Sequence, residues 1–533
     1  MRKSIALITL ASTASGKIIW PSKWDELEDL YTSMSGYQKQ GFADSVNPCT
    51  FGSNVQGRQN SAEWIRTAFH DMATHDAKAG TGGLDASIFY ELSRPENVGT
   101  AFENTFGFFS GYYSPRMSAS DLIALGVATA SGACGGPKIK LRGGRVDAIK
   151  AGPAGVPEPS TNLADTTATF AKAGFSKQDM IAMVACGHTL GGVHSVNFPD
   201  ITEIPKDPNN DTVLGFQKDN SQIHNGVITE FLNGKTKNPL VVAANNTLNS
   251  DKRIFSSDRK FMTKLANKQV FQSTCGDIFT RMIDAVPKSS KLTEVIEPFD
   301  VKPYVSELSM NKKGDLSFKG RVRFRTTKGT GRNPDDLSVK LVYADASGKT
   351  KTTITAKRAN FQGGLTIGLH GEEFVSFEFD ATIKAKTGIS KFWIQETSKA
   401  GGKTITHDNQ GSGGYPVDDT VLYQLQQSCF KTDSIVGGMI PVVATAMVRE
   451  QRSSDPLTLK IVHKVPRKNV VVPQLKVESI PFKATGKKMN GWVTYKAEAK
   501  VKDFTTFDIT LGGKRPASVD FQRTGAMPET CAS

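Results

Sequence analysis

The most informative segment of the sequence is Ala62-Glu-Trp-Ile-Arg-Thr-Ala-Phe-His-Asp71, which is followed by Gly82-Gly-Leu-Asp-Ala-Ser87. Apolar residues recur in the first segment at helical spacing, so it is predicted to form an amphipathic helix. Arg66 and His70 are four residues apart and therefore project from the same face of that helix. An imidazole can move a proton and a guanidinium can stabilise developing negative charge, so this face suits an oxygen-rich substrate. An isolated pair of this kind is more often a surface arginine beside a core histidine, so the interpretation depends on the rest of the chain.

The length of the chain and its N-terminal segment limit the classes of protein to which it can belong. At 533 residues the chain is too long for one ordinary domain, and we expect two to four domains. No apolar run approaches the roughly 20 residues of a membrane-spanning helix, so we expect no membrane span. Residues 1–16 combine a basic start, a short apolar core and small residues, which is typical of a secretory signal peptide; the alternative is a buried N-terminal strand. We therefore expect a secreted, extracellular protein.

The cysteines also favour secretion. Six of them are widely spaced, at positions 49, 134, 186, 275, 429 and 531, and none forms a C-x-x-C pair, which disfavours zinc ribbons and thioredoxin-like chemistry. An even count behind a signal-like N-terminus indicates disulfides formed in an oxidising compartment. Cys429 and Cys531 bracket the last segment and are natural partners. The sequons Asn210-Asp-Thr and Asn245-Asn-Thr predict a glycoprotein.

Charge divides the chain near residue 300. Residues 301–533 hold 36 lysines and arginines against 22 aspartates and glutamates, whereas the first 300 residues hold 30 of each. The net charge of +14 therefore lies entirely in the C-terminal part. Such an excess favours an anionic partner, such as a cell-wall polysaccharide or another polyanion. We do not expect a nucleic acid partner, because the sequence has no basic motif interleaved with aromatic residues.

The periodicity of the sequence changes at the same place. Residues 17–298 are predicted to be mainly α-helical, with helices over residues 22–40, 62–71, 118–132, 163–173, 176–188, 249–267 and 270–286. Beyond Pro298, alternating and β-branched stretches between turn residues predict one or two antiparallel β-sandwiches. We expect either two sandwich-like domains, over residues 299–430 and 431–533, or a single β region over residues 299–533. The predicted fold class is thus multidomain, with a mainly α domain followed by an all-β region.

Four sequence motifs, well separated from one another, follow in a characteristic order along the chain. They are Arg66-x-x-Phe69-His70-Asp71, then Gly83-Leu-Asp85-Ala-Ser87, then Pro95-Glu-Asn97, and finally Ala185-Cys-Gly-His188-Thr189 with Ser250-Asp251 and Ser257-Asp258 after it. In order, spacing and residue type this pattern resembles the plant, fungal and bacterial haem peroxidase superfamily, closest to the secreted fungal class II enzymes and their ascomycete relatives. The resemblance covers residues 22–290 and does not extend to the C-terminal β region. It implies a two-lobed helical domain with haem b between the lobes.

The resemblance implies a role for residues on the proximal side of the haem. His188 matches the histidine that ligates the haem iron, and Asp251 matches the acceptor of a hydrogen bond from its other ring nitrogen. A ligand polarised in this way gains imidazolate character and stabilises high-valent iron. Asp258 is the alternative partner, but Asp251 matches the family pattern better.

The resemblance also implies roles on the distal side. His70 matches the histidine that takes a proton from hydrogen peroxide and returns it to the distal oxygen, and Arg66 matches the arginine that stabilises the departing charge. Asn97 matches the residue that holds the second nitrogen of His70 in the right tautomer. Phe69 occupies the place where the cytochrome c and ascorbate peroxidase branch carries tryptophan, which argues against that branch.

Two calcium sites of the family can be compared with the sequence. Four residues with hard oxygen ligands match the distal calcium site, namely Asp71, Gly83, Asp85 and Ser87. A solvated glycine-rich turn is the alternative interpretation. At the proximal site Thr189 matches, but the later acidic positions are Gln217 and Asn225, so we expect that site to be weak, degraded or empty.

The resemblance bears on the remaining cysteines as well. Cys49 with Cys134 resembles a family disulfide that ties the N-terminal segment to the helix after the distal site. Cys186, two residues before His188, is expected to form a disulfide rather than to ligate iron, with Cys275 as the candidate partner. Each unstrained disulfide stabilises the fold by roughly 2–4 kcal/mol.

Two specialised electron-donor sites of the fungal branch are not expected. Manganese oxidation needs three carboxylates, and Glu63 fits one position while the other two are Gln59 and His194. The lignin-oxidising branch carries a surface tryptophan five residues before the proximal histidine, where this chain has Met183. We therefore expect the oxidation of small donors. It would take place either at the exposed haem edge or through a tyrosine or tryptophan that the sequence does not identify.

The sequence therefore predicts a secreted haem peroxidase that reduces hydrogen peroxide and oxidises small aromatic or phenolic donors in one-electron steps. The alternative is a secreted binding protein, in which the basic β region attaches to cell-wall polysaccharide and the peroxidase-like domain is inactive. The two functions are compatible, because a basic sandwich can localise an active peroxidase.

Overall fold

The computed structural model describes residues 18–52, 57–207, 209–349 and 351–532. The predicted signal segment, residues 1–16, lies outside the described residues. The N-terminal half contains the short strands β1 (Ser35–Gly36), β2 (Gly192–His194) and β3 (Val213–Gly215). Its helices are α1 (Asp25–Thr32), α2 (Asn60–Met72), α3 (Ala101–Phe109), α4 (Ala119–Ala133), α5 (Leu163–Lys172), α6 (Lys177–Gly187), α7 (Pro199–Thr202), α8 (Gly226–Leu232), α9 (Pro239–Val242), α10 (Ser250–Ser256), α11 (Arg259–Leu265) and α12 (Lys268–Asp284).

Helix α2 lies in the core of the helical half. Its apolar stripe is buried, with Trp64, Ile65 and Ala68 at or below 4% exposure. This stripe packs on α3, α4, α6 and α12. Since α4 is itself buried along nearly its whole length, α2 is held on a rigid support. Side chains that project from α2 away from the stripe are therefore fixed in position.

Local capping signals explain where several helices begin. The Ser118 side chain accepts a hydrogen bond from the Asp121 backbone N–H at the start of α4. Ser176 and Asp179 form a reciprocal capping box at the start of α6. These two predicted helix starts are confirmed. Helix α6 then runs to Gly187, so that His188 is its C-cap residue.

Two predicted helices are shorter or divided. The helix predicted over residues 22–40 ends at Thr32, because β1 pairs with a strand of the C-terminal half, Ser35 opposite Ile367. The helix predicted over residues 249–267 is divided into α10 and α11. The cause is Asp258, whose carboxylate accepts a hydrogen bond from Phe261 N at 2.9 Å and starts a new helix.

The C-terminal half is built from antiparallel strands, which confirms the predicted fold class of a helical domain followed by a β region. The strands are β4 (Val301–Met310), β5 (Leu316–Arg325), β6 (Leu337–Ala344), β7 (Lys351–Arg358), β8 (Leu365–Ile367), β9 (Glu373–Ile383), β10 (Lys391–Ser398), β11 (Thr404–His407), β12 (Tyr415–Pro416), β13 (Val421–Tyr423), β14 (Cys429–Phe430), β15 (Ile440–Arg449), β16 (Leu457–Arg467), β17 (Val470–Pro481), β18 (Lys483–Met489), β19 (Trp492–Val501), β20 (Thr506–Leu511) and β21 (Ala517–Arg523).

The strands form two packed groups. The first is one continuous sheet, because β7 pairs with both β6 and β9. Its two ends, β4-β5-β9-β8 and β6-β10-β11, share one hydrophobic core, in which Phe318 of β5 contacts Phe392 of β10 with ring centroids 5.9 Å apart. In the second, β13, β14, β15, β19 and β18 form one sheet and β17, β16, β20 and β21 form the other. Because β13 and β14 pair with β15, the predicted boundary between residues 430 and 431 falls inside this second group.

Besides the pairing of β1 with β8, the β region contacts the helical half through an apolar contact and a buried ionic cluster. Val472 of β17 is 3% exposed and belongs to the hydrophobic core of the helical half. Glu28 of α1 forms buried ion pairs with Lys302 of β4 and Arg323 of β5. All three of these charged side chains are fully buried. The two halves are thus joined by both apolar and ionic contacts.

The six cysteines form three disulfides, Cys49–Cys134, Cys186–Cys275 and Cys429–Cys531. All three predicted pairings are confirmed. Within the described part of the chain, no helix has the length and apolar character needed to cross a membrane.

Candidate active site

The distal pair projects from α2. His70 Nδ1 lies 2.8 Å from Asn97 Oδ1, and Asn97 Nδ2 donates to the Glu91 backbone carbonyl at 3.0 Å. A carbonyl oxygen can only accept, so the second bond fixes the orientation of the Asn97 amide. Asn97 Oδ1 is therefore an acceptor, Nδ1 of His70 carries the hydrogen, and Nε2 of His70 is the basic nitrogen.

The surroundings of His70 favour its neutral form. Burial, followed by the charge of Arg66, lowers its pKa to about 3, although the hydrogen bond to Asn97 acts in the opposite direction. Its ring also lies 5.0 Å from that of Phe102. The imidazole is therefore an unprotonated base at neutral pH.

Arg66 is held beside this base. Its Nη2 donates to the Val98 backbone carbonyl at 3.0 Å, and its guanidinium lies 4.7 Å from the centre of the Phe102 ring. Burial lowers the pKa of Arg66 to about 10, so it still carries its charge at neutral pH. Phe69 lies with its ring 5.8 Å from that of His70 and 5.9 Å from that of Phe170. The base therefore has a fixed cation on one side and an apolar wall on the other.

The proximal residues meet where α6 ends. His188 Nδ1 lies 2.8 Å from Asp251 Oδ2, and the same oxygen accepts a hydrogen bond from Asn238 Nδ2 at 2.7 Å. Asp251 and Asn238 are both fully buried. The ring of Phe216 is stacked on the imidazole, with centroids 4.2 Å apart and an interplanar angle of 14°. Asp258, the alternative partner, instead caps α11.

The surroundings of His188 suit a histidine that ligates haem iron. A metal-bound histidine typically donates its other ring hydrogen to a carboxylate, which fixes the tautomer and raises the basicity of the ligand. The bond to Asp251 gives His188 this tautomer and leaves Nε2 for a metal. The His188 side chain is 30% exposed whereas that of Asp251 is 1% exposed, so the ring faces open space with a buried anchor behind it. Helices α2 and α6 pack together, which brings His70 and His188 to neighbouring elements.

The four residues of the predicted distal calcium site are brought together. Asp71 is fully buried, and its carboxylate accepts hydrogen bonds from the backbone N–H groups of Ala86 at 2.7 Å and Ile88 at 3.0 Å. Burial, followed by repulsion from Asp85, raises the pKa of Asp71 well above its ordinary value. Ser87 Oγ lies 3.4 Å from Asp71 Oδ1.

The presence of glycine at position 83 of this loop has a steric explanation. Gly83 has a φ of +101°, and a Cβ there would lie 2.3 Å from the Ala285 backbone oxygen. Two buried carboxylates, Asp71 and Asp85, beside hydroxyl and carbonyl oxygens form a donor set that suits Ca²⁺. Clusters of three or more histidines, cysteines or acidic residues suited to a metal are absent from the described residues, so the set depends on these neutral oxygens.

The predicted proximal calcium residues differ from such a set. Thr189 is fully buried, and its hydroxyl donates to the Cys186 carbonyl at 2.8 Å. Gln217 Nε2 donates to the Thr189 carbonyl at 2.8 Å. Asn225 Nδ2 donates to the carbonyl of Ala266 at 2.5 Å. Amide and hydroxyl donors thus stand where carboxylate ligands would be needed.

The residues considered for manganese oxidation have other partners. Glu63 forms an ion pair with Arg58 at 2.6 Å, and His194 Nδ1 lies 2.5 Å from Asp211. Gln59 Oε1 accepts a hydrogen bond from the Gly191 backbone N–H at 2.6 Å. These contacts leave one carboxylate of the required three, and that carboxylate is already neutralised by an arginine.

Sequence reasoning missed two residues of the proximal site. Asn238 binds Asp251 from thirteen positions away, and only its place before Pro239 as a helix cap distinguished it. Phe216 directly precedes Gln217, a position that was considered for the proximal calcium site. No periodicity in the sequence indicates that the Phe216 ring stacks on His188.

Comparisons with known proteins identify a peroxidase domain in the helical half. A family model described as Peroxidase matches residues 51–276. A WSC domain-containing protein of Arthroderma benhamiae is 35% identical over 529 residues, which is 96% of this chain and 68% of that protein. The peroxisomal L-ascorbate peroxidase 5 of Arabidopsis thaliana is 34% identical over 142 residues, which is 26% of this chain and 50% of that protein. The mitochondrial cytochrome c peroxidase of Emericella nidulans is 32% identical over 137 residues, which is 25% of this chain and 38% of that protein.

The helical half of the chain, over residues 51–276, belongs to the haem peroxidase superfamily. Its similarity to the Arthroderma protein runs through the β region as well, whereas the similarity to the two named peroxidases spans half or less of their own length. The predicted place in the secreted fungal branch stays a prediction.

Proposed function

We propose that the chain is a secreted haem peroxidase that reduces hydrogen peroxide and oxidises small aromatic or phenolic donors in one-electron steps. One observation carries the proposal: two histidines on neighbouring helices are each oriented through Nδ1, His70 by Asn97 and His188 by Asp251. Haem b, when bound, supplies the redox-active iron at which peroxide is reduced. His188 is the residue that would hold it.

On the distal side the chain supplies a base and a cation. Nε2 of His70 takes the proton from the proximal oxygen of hydrogen peroxide and delivers it to the departing oxygen. Arg66 stabilises the negative charge that develops as the O–O bond breaks. Asn97 keeps the hydrogen on Nδ1, so that Nε2 is free for the transfer. The low pKa of His70 keeps it ready to accept a proton at neutral pH.

On the proximal side the buried carboxylate of Asp251 polarises His188, and Asn238 holds that carboxylate in place. Calcium bound by the distal residues would neutralise the Asp71–Asp85 pair. It would thereby stiffen the end of α2, one residue after His70. Oxidation of Mn²⁺ is not part of the proposal, because Glu63 is already paired with Arg58.

A direct test uses the haem spectrum. The purified chain, reconstituted with haem b, is expected to show a Soret band and to oxidise a phenolic donor with hydrogen peroxide. His188→Ala is expected to lose the band. His407→Ala is the matched control, since His407 also pairs with a carboxylate, that of Glu396, but lies on β11 in the β region. A chain that stays colourless after reconstitution, or an unchanged band in His188→Ala, contradicts the proposal.

A second candidate function is attachment to an anionic polysaccharide. Strand β18 is exposed along its whole length and carries Lys483, Lys487 and Lys488. Lys483 lies directly opposite Lys496 of β19, and like charges in this position destabilise a sheet. Lysines on an edge strand also protect it from pairing with other chains, which is the simpler explanation.

The full chain can decide between these explanations. Attachment predicts salt-sensitive retention on an anionic polysaccharide matrix that is weakened by the double substitution Lys483→Gln with Lys496→Gln. Lys312→Gln with Lys313→Gln, in the turn between β4 and β5, has the same charge change and is the control. Equal retention of both variants, or no retention at low salt, excludes the strand as an attachment site.

A further inference from the structure

The side chain of Gln217 is surrounded by backbone carbonyl groups just behind the proximal histidine. Its Nε2 donates to the carbonyls of Asp219 at 2.7 Å and Thr189 at 2.8 Å, and lies 3.3 Å from that of Gln222. Its Oε1 accepts a hydrogen bond from the Val227 backbone N–H at 2.7 Å. The side chain is 4% exposed. Every polar atom of this amide is therefore bound inside the protein.

The chemistry of these partners fixes the orientation of the amide. Carbonyl oxygens only accept and a backbone N–H only donates, so Nε2 must face the three carbonyls. An NH₂ group has two hydrogens, so the third and longest contact shares one of them. Backbone carbonyl oxygens that converge on one point are also the ligands that proteins offer to hard cations. The side-chain nitrogen of Gln217 thus occupies the position that a cation would take among these carbonyl oxygens.

Side chains that would complete a cation site are directed elsewhere. The Thr189 hydroxyl donates to the carbonyl of Cys186 at 2.8 Å. The Asp219 carboxylate accepts hydrogen bonds from Ser221 and is 56% exposed. The Asn225 amide donates to the carbonyl that follows α11. A shell of neutral carbonyls without a carboxylate binds Ca²⁺ weakly, and here its centre is already filled.

We propose that the side-chain amide of Gln217 replaces the proximal cation of the superfamily, so that the proximal half of the site needs no metal. The amide also positions the proximal histidine. It binds the carbonyl of Thr189, the residue directly after His188. Its own neighbour in the chain, Phe216, stacks on the His188 ring at 4.2 Å. One side chain thereby holds the segments on both sides of the imidazole.

The replacement can be tested without haem, in the apoprotein. Gln217→Glu places a carboxylate oxygen against three carbonyl oxygens, an arrangement that a cation would relieve. In an Asp71→Asn background, which removes the distal site, we expect Gln217→Glu to bind one calcium ion per chain by titration calorimetry and to lose thermal stability on addition of a chelator. Gln426→Glu is the matched control, because it makes the same charge change on an exposed side chain in the β region. We expect the control and the parent to bind no calcium.

Several outcomes would overturn the proposal. One is calcium binding by the Asp71→Asn parent that Gln217→Glu does not exceed; another is a Gln217→Glu variant as stable in chelator as the parent. If Gln217→Glu does not fold at any calcium concentration, Gln217→Leu decides: a wild-type Tm for that variant would show that the amide holds nothing, and a lower Tm supports the proposal.

The positioning role rests on the proposed function and has its own readout. In the haem-loaded chain we expect Gln217→Leu to shift the Soret band or the spin state of the iron, and Gln426→Leu, on an exposed side chain of the β region, to leave both unchanged. An unaltered spectrum for Gln217→Leu would exclude positioning of His188. The calcium titrations would keep their meaning in that case, and also if the chain bound no haem.

Discussion

Oδ2 of Asp251 lies 2.8 Å from Nδ1 of His188 and also accepts a hydrogen bond from Asn238. This oxygen is buried, so its negative charge is directed at the imidazole rather than at solvent. The buried carboxylate is therefore the group that sets the electron density on His188.

Asp251→Asn keeps an oxygen for the two hydrogen bonds but removes the charge. Substitution of such a supporting group typically costs roughly 10- to 100-fold in metal affinity or activity, so we expect a loss of that order in haem affinity or turnover. Haem titration and steady-state oxidation of a phenol measure it. Asp258→Asn is the control: asparagine caps a helix as well as aspartate does, so α11 and the activity are expected to be unchanged. Equal effects of the two substitutions would contradict the assignment.

The pH dependence of the peroxide reaction follows from His70. Burial and the Arg66 charge lower its pKa to about 3, so the base stays neutral over the usual range. We expect the rate constant for hydrogen peroxide to be constant from about pH 8 to about pH 5 and to fall at lower pH. Arg66→Leu removes one cause of the low pKa, so its acid limb is expected at higher pH. A wild-type limb near pH 6.5, the ordinary histidine value of about 6.5, would contradict this prediction.

The same shift affects stability with a defined sign. In the unfolded chain His70 binds a proton below about pH 6.5, whereas in the folded chain it does so only near pH 3. Its contribution is therefore fully present above about pH 6.5 and is lost as the pH falls toward 3. His70→Gln is expected to flatten the decrease in Tm between pH 7 and pH 4, measured by calorimetry. An identical decrease in variant and wild type would exclude His70 as its source.

Removal of calcium is expected to destabilise the distal loop. Without a cation, Asp71 and Asp85 repel each other in a buried place. A ligand at 100 times its Kd stabilises the folded state by about 2.7 kcal/mol, so a chelator should lower the Tm of the wild type measurably. Asp71→Asn should have a Tm that does not depend on calcium. Asp76→Asn, in the same loop, is the control, and a chelator effect that survives in Asp71→Asn would contradict the site.

The buried ion cluster between the two halves is expected to be costly to break. Arg323→Met leaves Glu28 buried with one cation fewer, and breaking such a pair typically costs roughly 3–5 kcal/mol. Arg358→Met is the control, because its partner Asp335 is 79% exposed and exposed pairs contribute about 0–1 kcal/mol. Calorimetry of both variants measures the difference in Tm. Similar shifts for the two substitutions would show that the cluster does not join the halves.

Local patterns in the sequence determined the elements and many of the site residues. The helical period of residues 62–71 is sufficient to place Arg66 and His70 on one face of α2, because side chains four apart always share a face. Capping residues located the starts of α4 and α6 for the same reason, since a cap acts within one turn. The resemblance to a known superfamily added residues that no period marks, such as Asn97 and Asp251.

The tertiary structure decided which distant groups meet. The ending of α1 at Thr32 follows from the pairing of Ser35 with Ile367, and the burial of Val472 in the helical core follows from the docking of β17. The amide of Gln217 is paired because loops bring three carbonyls to one point. A sequence records local preferences directly, but contacts between segments hundreds of residues apart depend on how the whole chain packs. The helices and their faces could therefore be predicted from the sequence, whereas the partners of the buried polar groups could not.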